Sequence, residues 1–178
     1  MQLSLNQFNA LPETEAVSSL ITCCTSQNWA QQVASNRPFD SLSSLLSVSD
    51  SIWQQMQEED YLQAFEGHPQ IGDVSTLSKK YQNTAESAAS EQSAVNNADK
   101  KTVEALAAAN KAYLDKFGFI FIVFASDKSA TQMLNLITER LSNTRQQELI
   151  NGAVEQNKIT RHRLQSLIGT SPTQITNL

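Results

Sequence analysis

The chain has 178 residues, of which 40% are hydrophobic, and it carries a formal net charge of −5 at pH 7. This length is typical of one domain, and a net negative charge gives no general attraction for phosphate backbones. We therefore expect a single domain over 1–178 that binds no nucleic acid. Five glycines and four prolines make up about 5% of the chain, where about 12% is average, and this favours helix over strand.

The sequence also indicates the cellular compartment of the protein. Its longest apolar run, Phe119 to Ala125, has seven residues, whereas a helix needs about 20 to span a bilayer. The first residues show neither the basic region nor the apolar core of a secretory signal. The two cysteines, Cys23 and Cys24, are sequence neighbours and do not suit a disulfide framework. We expect a cytoplasmic protein with reduced thiols and no membrane partner.

The N-terminal part of the chain predicts four helices. Pro12 is expected at the first position of one helix, and the next is expected over 26–36. Asp40 and Asp50 are expected to cap the following two helices. Gly67 stands where a glycine commonly follows the end of a helix.

The middle of the chain combines helical patterns with one apolar run. A weak pattern predicts a helix over 84–96, and Asp99 is expected to cap a stronger helix that ends at Gly118. The run F-I-F-I-V-F-A at 119–125 is typical of a buried strand, but no second run exists to pair with it. We therefore expect an extended buried segment at about 118–125, whose backbone hydrogen-bonds with side chains or a ligand.

Helical spacing returns in the C-terminal part, first from Ser129 to Leu141. Thr144 and Gln147 form a capping box for a last helix that runs to about Ile168, and 169–178 is expected to be a frayed tail. The predicted fold class is therefore all-α, a single-domain helical bundle with one extended buried segment.

His68 is the first candidate functional residue, because it is held on a stiff turn between Gly67 and Pro69. Histidine is the side chain best suited to proton transfer near neutral pH. A role in capping the turn is the alternative, and it stays open. The other histidine, His162, lies in a basic run and is expected on a solvated face of the last helix.

Arg163 is the second candidate, because Ile159 and Leu167 lie four residues before and after it and place it in an apolar stripe. An inward-facing arginine needs an anion, either a protein carboxylate or a ligand. Arg161 is expected to point to water. Glu91 is the third candidate, on a helix with small neighbours, with an ordinary surface glutamate as its alternative. The two histidines and two cysteines match no metal-ligand spacing.

Several blocks in a fixed order resemble the OHCU decarboxylase family. They are G-H-P-Q-I-G, S-E-Q, N-K-A-Y-L-D-K-F-G-F-I-F-I-V, E-R-L-S-N and I-T-R-H-R-L, preceded by C-C-T-S-Q-N-W-A and N-R-P-F. The resemblance covers about 6–168. It implies an all-α homodimer that decarboxylates the small molecule 2-oxo-4-hydroxy-4-carboxy-5-ureidoimidazoline (OHCU) to (S)-allantoin in urate breakdown, with neither a metal nor an organic cofactor.

The resemblance also implies roles for single residues. His68 matches the family's catalytic histidine, taken as the proton donor, Glu91 matches the glutamate of its E-Q pair, and Arg163 matches the arginine of its closing R-L. Ala88 stands where family members often have serine. The implied substrate-binding residues are Pro69, Ala88, Ala89, Ser90, Gln92, Phe121, Ile122, Val123, Phe124 and Ala125.

Two alternative functions stay open at this point. One is a non-catalytic helical binding module that retains the fold. The other is another lyase or hydrolase of ureido substrates, a class that generally uses metals.

Overall fold

The computed structural model describes residues 2–68, 92–125 and 128–169, and the side chains of 92–99 lie outside this description. Within these ranges no strand forms, and one isolated parallel bridge joins Leu3 to Ile168. The all-α prediction is therefore confirmed. The helices of this part of the chain are α1 (Leu5–Ala10), α2 (Glu13–Ile21), α3 (Gln27–Ser35), α4 (Leu42–Trp53), α5 (Glu58–Glu66), α6 (Gln92–Phe117), α7 (Ala130–Arg140) and α8 (Arg145–Leu167).

The chain divides into two compact units. The first contains the described residues of Met1–Gly67 and Ala153–Leu178, and the second contains those of His68–Gly152. The single domain over 1–178 stays a prediction. No helix in the described ranges is both long and apolar enough to cross a bilayer.

The first unit is built around α3, which packs against α2, α4 and α5. Trp29 is fully buried at its centre. Trp53 at the end of α4 donates a hydrogen bond from Nε1 to the Ala153 carbonyl, at 2.9 Å, and so connects α4 to α8. The predicted reduced thiols are here: Cys23 and Cys24 are free and buried. Burial raises the pKa of both thiols, that of Cys24 to about 11.

The second unit packs α6 against α7. The predicted capping box at the start of α8 is confirmed, because the Thr144 amide donates to Gln147 Oε1 at 2.9 Å and the Gln147 amide donates to Thr144 Oγ1 at 3.3 Å. Among the described residues of this unit, the buried hydrophobic ones are Val103, Leu106, Ala107, Tyr113, Phe117, Phe119, Ile122, Met133, Ile137 and Leu149.

Three predicted helix starts in the first unit need correction. Pro12 is the N-cap of α2 rather than its first helical residue, and Ser41, not Asp40, caps α4. Ser41 Oγ accepts a hydrogen bond from the Ser44 amide at 3.1 Å, which Asp40, one residue earlier, is not placed to do. The prediction that Asp50 begins a helix is wrong, because Asp50 lies inside α4.

Distant partners explain why Asp50 does not act as a cap. Its carboxylate accepts a hydrogen bond from Asn157 Nδ2 at 2.9 Å and forms an ion pair with Arg161. This ion pair corrects the expectation that Arg161 points to water. The side chain of Arg161 is still 40% exposed, and a partly exposed pair of this kind contributes little to stability.

The predicted break at Asp99 is also wrong, because α6 runs without interruption from Gln92 to Phe117. The described part of the helix predicted over 84–96, residues 92–96, belongs to this same helix. Residues 84–91 lie outside the description, as does the predicted frayed tail from residue 170 onward.

Candidate active site

His68 follows directly on the last residues of α5, and its side chain is half-buried. Gly67 before it is the C-cap of α5, with φ −71° in the ordinary right-handed helical region. The end of α5 therefore does not use the left-handed conformation that glycine favours. Close approach explains the glycine, because a Cβ at Gly67 would lie 2.2 Å from Thr25 Oγ1. Thr25 Oγ1 donates hydrogen bonds to the carbonyls of Gln63 at 2.9 Å and Ala64 at 3.3 Å.

Replacing Gly67 with alanine should therefore lower the free energy of unfolding by about 1–3 kcal/mol, because the added methyl group overpacks the contact with Thr25. Urea denaturation measures the loss. Combining Gly67→Ala with Thr25→Ala should restore part of the stability, since two of the three closest atoms are removed. A Gly67→Ala variant as stable as the parent would contradict this explanation.

Arg163 is half-buried on α8, where its apolar stripe predicts an inward-facing side chain. Its Nη1 donates a hydrogen bond to the Cys23 carbonyl at 3.1 Å. This contact joins two blocks of the sequence, C-C-T-S and I-T-R-H-R-L, within the first unit. It uses one of the five N–H donors of the guanidinium. His162, beside it, is exposed as expected.

The 119–125 segment begins where Gly118 ends α6. Gly118 has φ +78°, a left-handed conformation that glycine adopts without strain, and its amide donates to the Leu114 carbonyl at 2.9 Å. The segment forms neither helix nor strand, as predicted, but its burial is uneven. Phe119 and Ile122 are buried, and the residues that are half-buried are Ile120, Phe121, Val123, Phe124 and Ala125.

Aromatic rings hold one side of the segment against α6. The ring centroid of Tyr113 lies 6.1 Å from that of Phe119 and 5.2 Å from that of Phe121, both edge to face. Phe117 packs on Tyr113 at 4.5 Å. Edge-to-face pairs at such distances are favourable beyond the area that they bury, so Tyr113 organises the start of the segment.

Two cationic side chains hold the backbone of the segment. Arg140 Nη1 donates to the Ile122 carbonyl at 3.0 Å, and its guanidinium lies 4.7 Å from the centroid of the Phe121 ring. Lys128 Nζ donates to the Phe124 carbonyl at 3.0 Å. The expectation that side chains provide hydrogen bonds for this backbone is confirmed at these two carbonyls.

Behind Arg140 lies a buried polar cluster that the sequence did not predict. Glu148 is fully buried, and its carboxylate accepts hydrogen bonds from Arg140 Nε at 2.7 Å, Asn143 Nδ2 at 2.7 Å, Asn151 Nδ2 at 2.8 Å and the Tyr113 hydroxyl. Burial alone would raise the pKa of Glu148, but these hydrogen bonds and the positive charge of Arg140 hold the pKa below its usual range. Burial and the bond to Glu148 raise the pKa of Tyr113, which therefore stays a neutral donor.

Part of a signal for this cluster was present in the sequence. Arg140 and Asn143 lie in the block E-R-L-S-N, and Tyr113 lies in N-K-A-Y-L-D-K-F, so the resemblance already drew attention to both. Glu148 gave no local signal, because an acidic residue in the first turn of a helix is ordinary and its bond to Tyr113 joins residues 35 positions apart.

The structure describes the predicted site residues only in part. His68 and 121–125 belong to the second unit, Arg163 belongs to the first, and Gln92 is the first residue of α6, with its side chain outside the description. The convergence of His68, Glu91 and Arg163 on one ligand therefore stays a prediction. The predicted residues that lie outside the described ranges are Pro69, Ala88, Ala89, Ser90 and Glu91. Among the described residues, no group of three or more His, Cys, Asp or Glu side chains could hold a metal ion.

Comparison with known proteins adds two relatives. The uric acid degradation bifunctional protein TTL of Arabidopsis thaliana is 34% identical over 145 residues, which are 82% of this chain and 45% of that protein. The chain thus spans less than half the length of this relative. The 2-oxo-4-hydroxy-4-carboxy-5-ureidoimidazoline decarboxylase of Haloferax volcanii is 24% identical over 164 residues, covering 92% of this chain and 95% of that protein.

A solved structure and a family model agree with these relatives. The crystal structure of an OHCU decarboxylase in the presence of (S)-allantoin superposes with a TM-score of 0.64 at 32% identity, covering 81% of this chain and 92% of that one. The sequence model of OHCU decarboxylases matches residues 9–165. The match includes His68, the 119–125 segment and Arg163, and the chain belongs to the OHCU decarboxylase family.

Proposed function

We propose that this protein decarboxylates OHCU to (S)-allantoin without a metal or organic cofactor. The observation that carries the proposal is the family match over residues 9–165, which includes His68 in its H-P-x-I-G block. The similarity to an OHCU decarboxylase crystallised in the presence of (S)-allantoin supports the same substrate and product.

The substrate can supply its own electron sink for this reaction. When the bond between C4 and its carboxylate breaks, the electron pair moves into the adjacent C=N group, and CO₂ leaves. A proton then adds to C5, which carries the ureido group, while the C4 hydroxyl becomes a carbonyl and its proton passes to the ring nitrogen that received the electron pair. Atoms and charge balance without an oxidant or water. The protein has to orient the substrate, stabilise the developing charge and deliver the proton to one face.

Each proposed catalytic residue takes one of these tasks. His68, working with Glu91 as an acid/base pair, delivers the proton to C5. Arg163 anchors an anionic or carbonyl edge of the substrate, and its bond to the Cys23 carbonyl supports this role because it uses only one of the five guanidinium donors. The proposed binding surface consists of the backbone of Phe121–Ala125 together with Pro69, Ala88, Ala89, Ser90 and Gln92.

The rate of substrate loss distinguishes this enzyme from a non-catalytic binding module. OHCU is generated freshly and followed by NMR at several protein concentrations far below that of the substrate. We expect the initial rate to rise in proportion to protein concentration, above the spontaneous background, with many turnovers per chain. Binding without a rise in rate would contradict the proposal and support the binding module.

We further propose that the protein is a cytoplasmic homodimer. The free, buried thiols of Cys23 and Cys24 support a reducing compartment. The exposed apolar side chains of Ile150 and Val154, four residues apart on α8, support an interface with a second copy. Sedimentation equilibrium should give twice the chain mass of 19.7 kDa. A monomer at micromolar concentration would contradict the dimer.

A further inference from the structure

We propose that Arg140 is a positioning residue for the reaction: held by Glu148, it fixes the Ile122 carbonyl and thereby the backbone of 121–125 that faces the substrate. This inference rests on the proposed function. Its starting point is the 119–125 segment, which lies between two helices and forms no regular structure of its own. A backbone of this kind takes its conformation from whatever binds its polar groups.

Arg140 is fixed from several sides at once. Nε donates to Glu148 Oε2 at 2.7 Å, Nη1 donates to the Ile122 carbonyl at 3.0 Å, and Nη2 lies 3.4 Å from the Tyr113 hydroxyl oxygen. The Phe121 ring lies under the guanidinium. The planar fork of arginine suits this arrangement, because it presents several N–H donors and a flat face from one position. The guanidinium of Arg140 therefore links the Glu148 carboxylate directly to the 119–125 segment.

Glu148 holds the Arg140 guanidinium in place. Its carboxylate is fully buried, and its bonds to Tyr113, Asn143 and Asn151 leave it little freedom to move. A buried ion pair is often replaceable by apolar residues without loss of stability, so stability alone does not account for the cluster. Fixing the position of one backbone carbonyl next to the proposed substrate surface does account for it.

Arg140→Lys tests the proposal because it keeps the charge and removes the fork. We expect amide hydrogen exchange of residues 120–124 to become faster by about fivefold or more. We expect kcat for OHCU to fall by about tenfold or more, since a misplaced binding surface costs orientation. The KM should change less than kcat, because the surface remains present but is poorly aligned.

Arg37→Lys is the matched control. In the first unit, Arg37 donates to the carbonyls of Ala34, Phe8 and Leu11 at 2.7–2.9 Å and lies over the Phe8 ring. Its replacement removes comparable bonds and lowers stability, yet it should leave both exchange at 120–124 and kcat at parental values. Equal losses of kcat in the two variants would reduce Arg140 to a merely structural role and overturn the proposal.

A second variant covers the case in which Arg140→Lys does not fold. Tyr113→Phe keeps the ring that packs on Phe121 and removes the hydroxyl that binds Glu148. We expect amide hydrogen exchange at 120–124 to become faster and kcat to fall, each by less than in Arg140→Lys. Parental exchange at 120–124 in either folded variant contradicts the proposal. Hydrogen exchange does not depend on turnover, so a parent protein without decarboxylase activity would contradict the proposed function while the exchange comparison still tests Arg140.

Discussion

Replacing His68 with asparagine is expected to lower kcat for OHCU by about 10²- to 10⁴-fold, the usual contribution of a positioned general acid. Asparagine keeps a polar side chain of similar size but cannot release and regain a proton near neutral pH. His68 is half-buried, directly after the C-cap of α5, so the variant should fold. Stopped-flow measurement of OHCU loss at saturating substrate gives kcat.

The chain provides a matched control, because His162 is its only other histidine. His162 is exposed on α8, and His162→Asn should leave kcat within about twofold of the parent, as is usual for an exposed position. Far-UV circular dichroism confirms that both variants are folded. A His68→Asn variant that retains the parental kcat would remove His68 from the mechanism.

Glu148→Ala is expected to lower the free energy of unfolding by about 3–5 kcal/mol, because it leaves a buried charge without its partner. Glu148 forms an ion pair with Arg140, in which the side chain of Glu148 is fully buried and that of Arg140 is 14% exposed. The same substitution removes the acceptor of Tyr113, Asn143 and Asn151. Urea denaturation monitored by fluorescence measures the loss.

Asp115→Ala is the control for this variant. Asp115 forms an ion pair with Lys111 at 2.6 Å on α6, and both side chains are more than half exposed. An exposed pair four residues apart on a helix contributes about 0.3–0.5 kcal/mol. Similar losses of unfolding free energy for Glu148→Ala and Asp115→Ala would show that the buried cluster contributes no more to stability than an exposed ion pair.

The same carboxylate predicts how stability depends on pH. The pKa of Glu148 is lower in the folded protein than its ordinary value of 4.5, so the unfolded chain binds more protons in the range between the two values. The stability that Glu148 contributes is therefore fully present above about pH 4.5 and is lost as the pH falls through the folded pKa. Glu148→Gln should reduce this acid dependence, and an unchanged pH profile would contradict the assignment.

Local signals predicted much of the fold. Thr144 and Gln147 begin α8 and Gly118 ends α6 as expected, because a capping box and a left-handed glycine act within a few residues. The prediction for Asp50 fails for the opposite reason. Its side chain suits a helix cap, but its partners Asn157 and Arg161 lie more than 100 residues away along the chain, beyond the reach of local pattern.

In the candidate site, too, local features were predictable from the sequence and contacts between distant residues were not. The irregular 119–125 segment and its start at Gly118 followed from an unpaired apolar run and a glycine. The stiff turn between Gly67 and Pro69 stays a prediction, because Pro69 lies outside the described residues. The closeness of Gly67 to Thr25 and the burial of Glu148 depend on tertiary packing, which sequence spacing does not contain. The resemblance led to the proposed substrate, whereas the proposed role of Arg140 follows from its bonds to Ile122 and Glu148, 18 and 8 residues away along the chain.

Circular dichroism of the product is the most direct test of the claim that this protein delivers a proton to one face of the decarboxylated substrate. Freshly generated OHCU is converted to completion with the parent protein, with His68→Asn and without protein. The parent should give allantoin with the full ellipticity of the S enantiomer, and the other two samples should give little or none. Racemic allantoin, formed by the parent at the spontaneous rate, would contradict the claim.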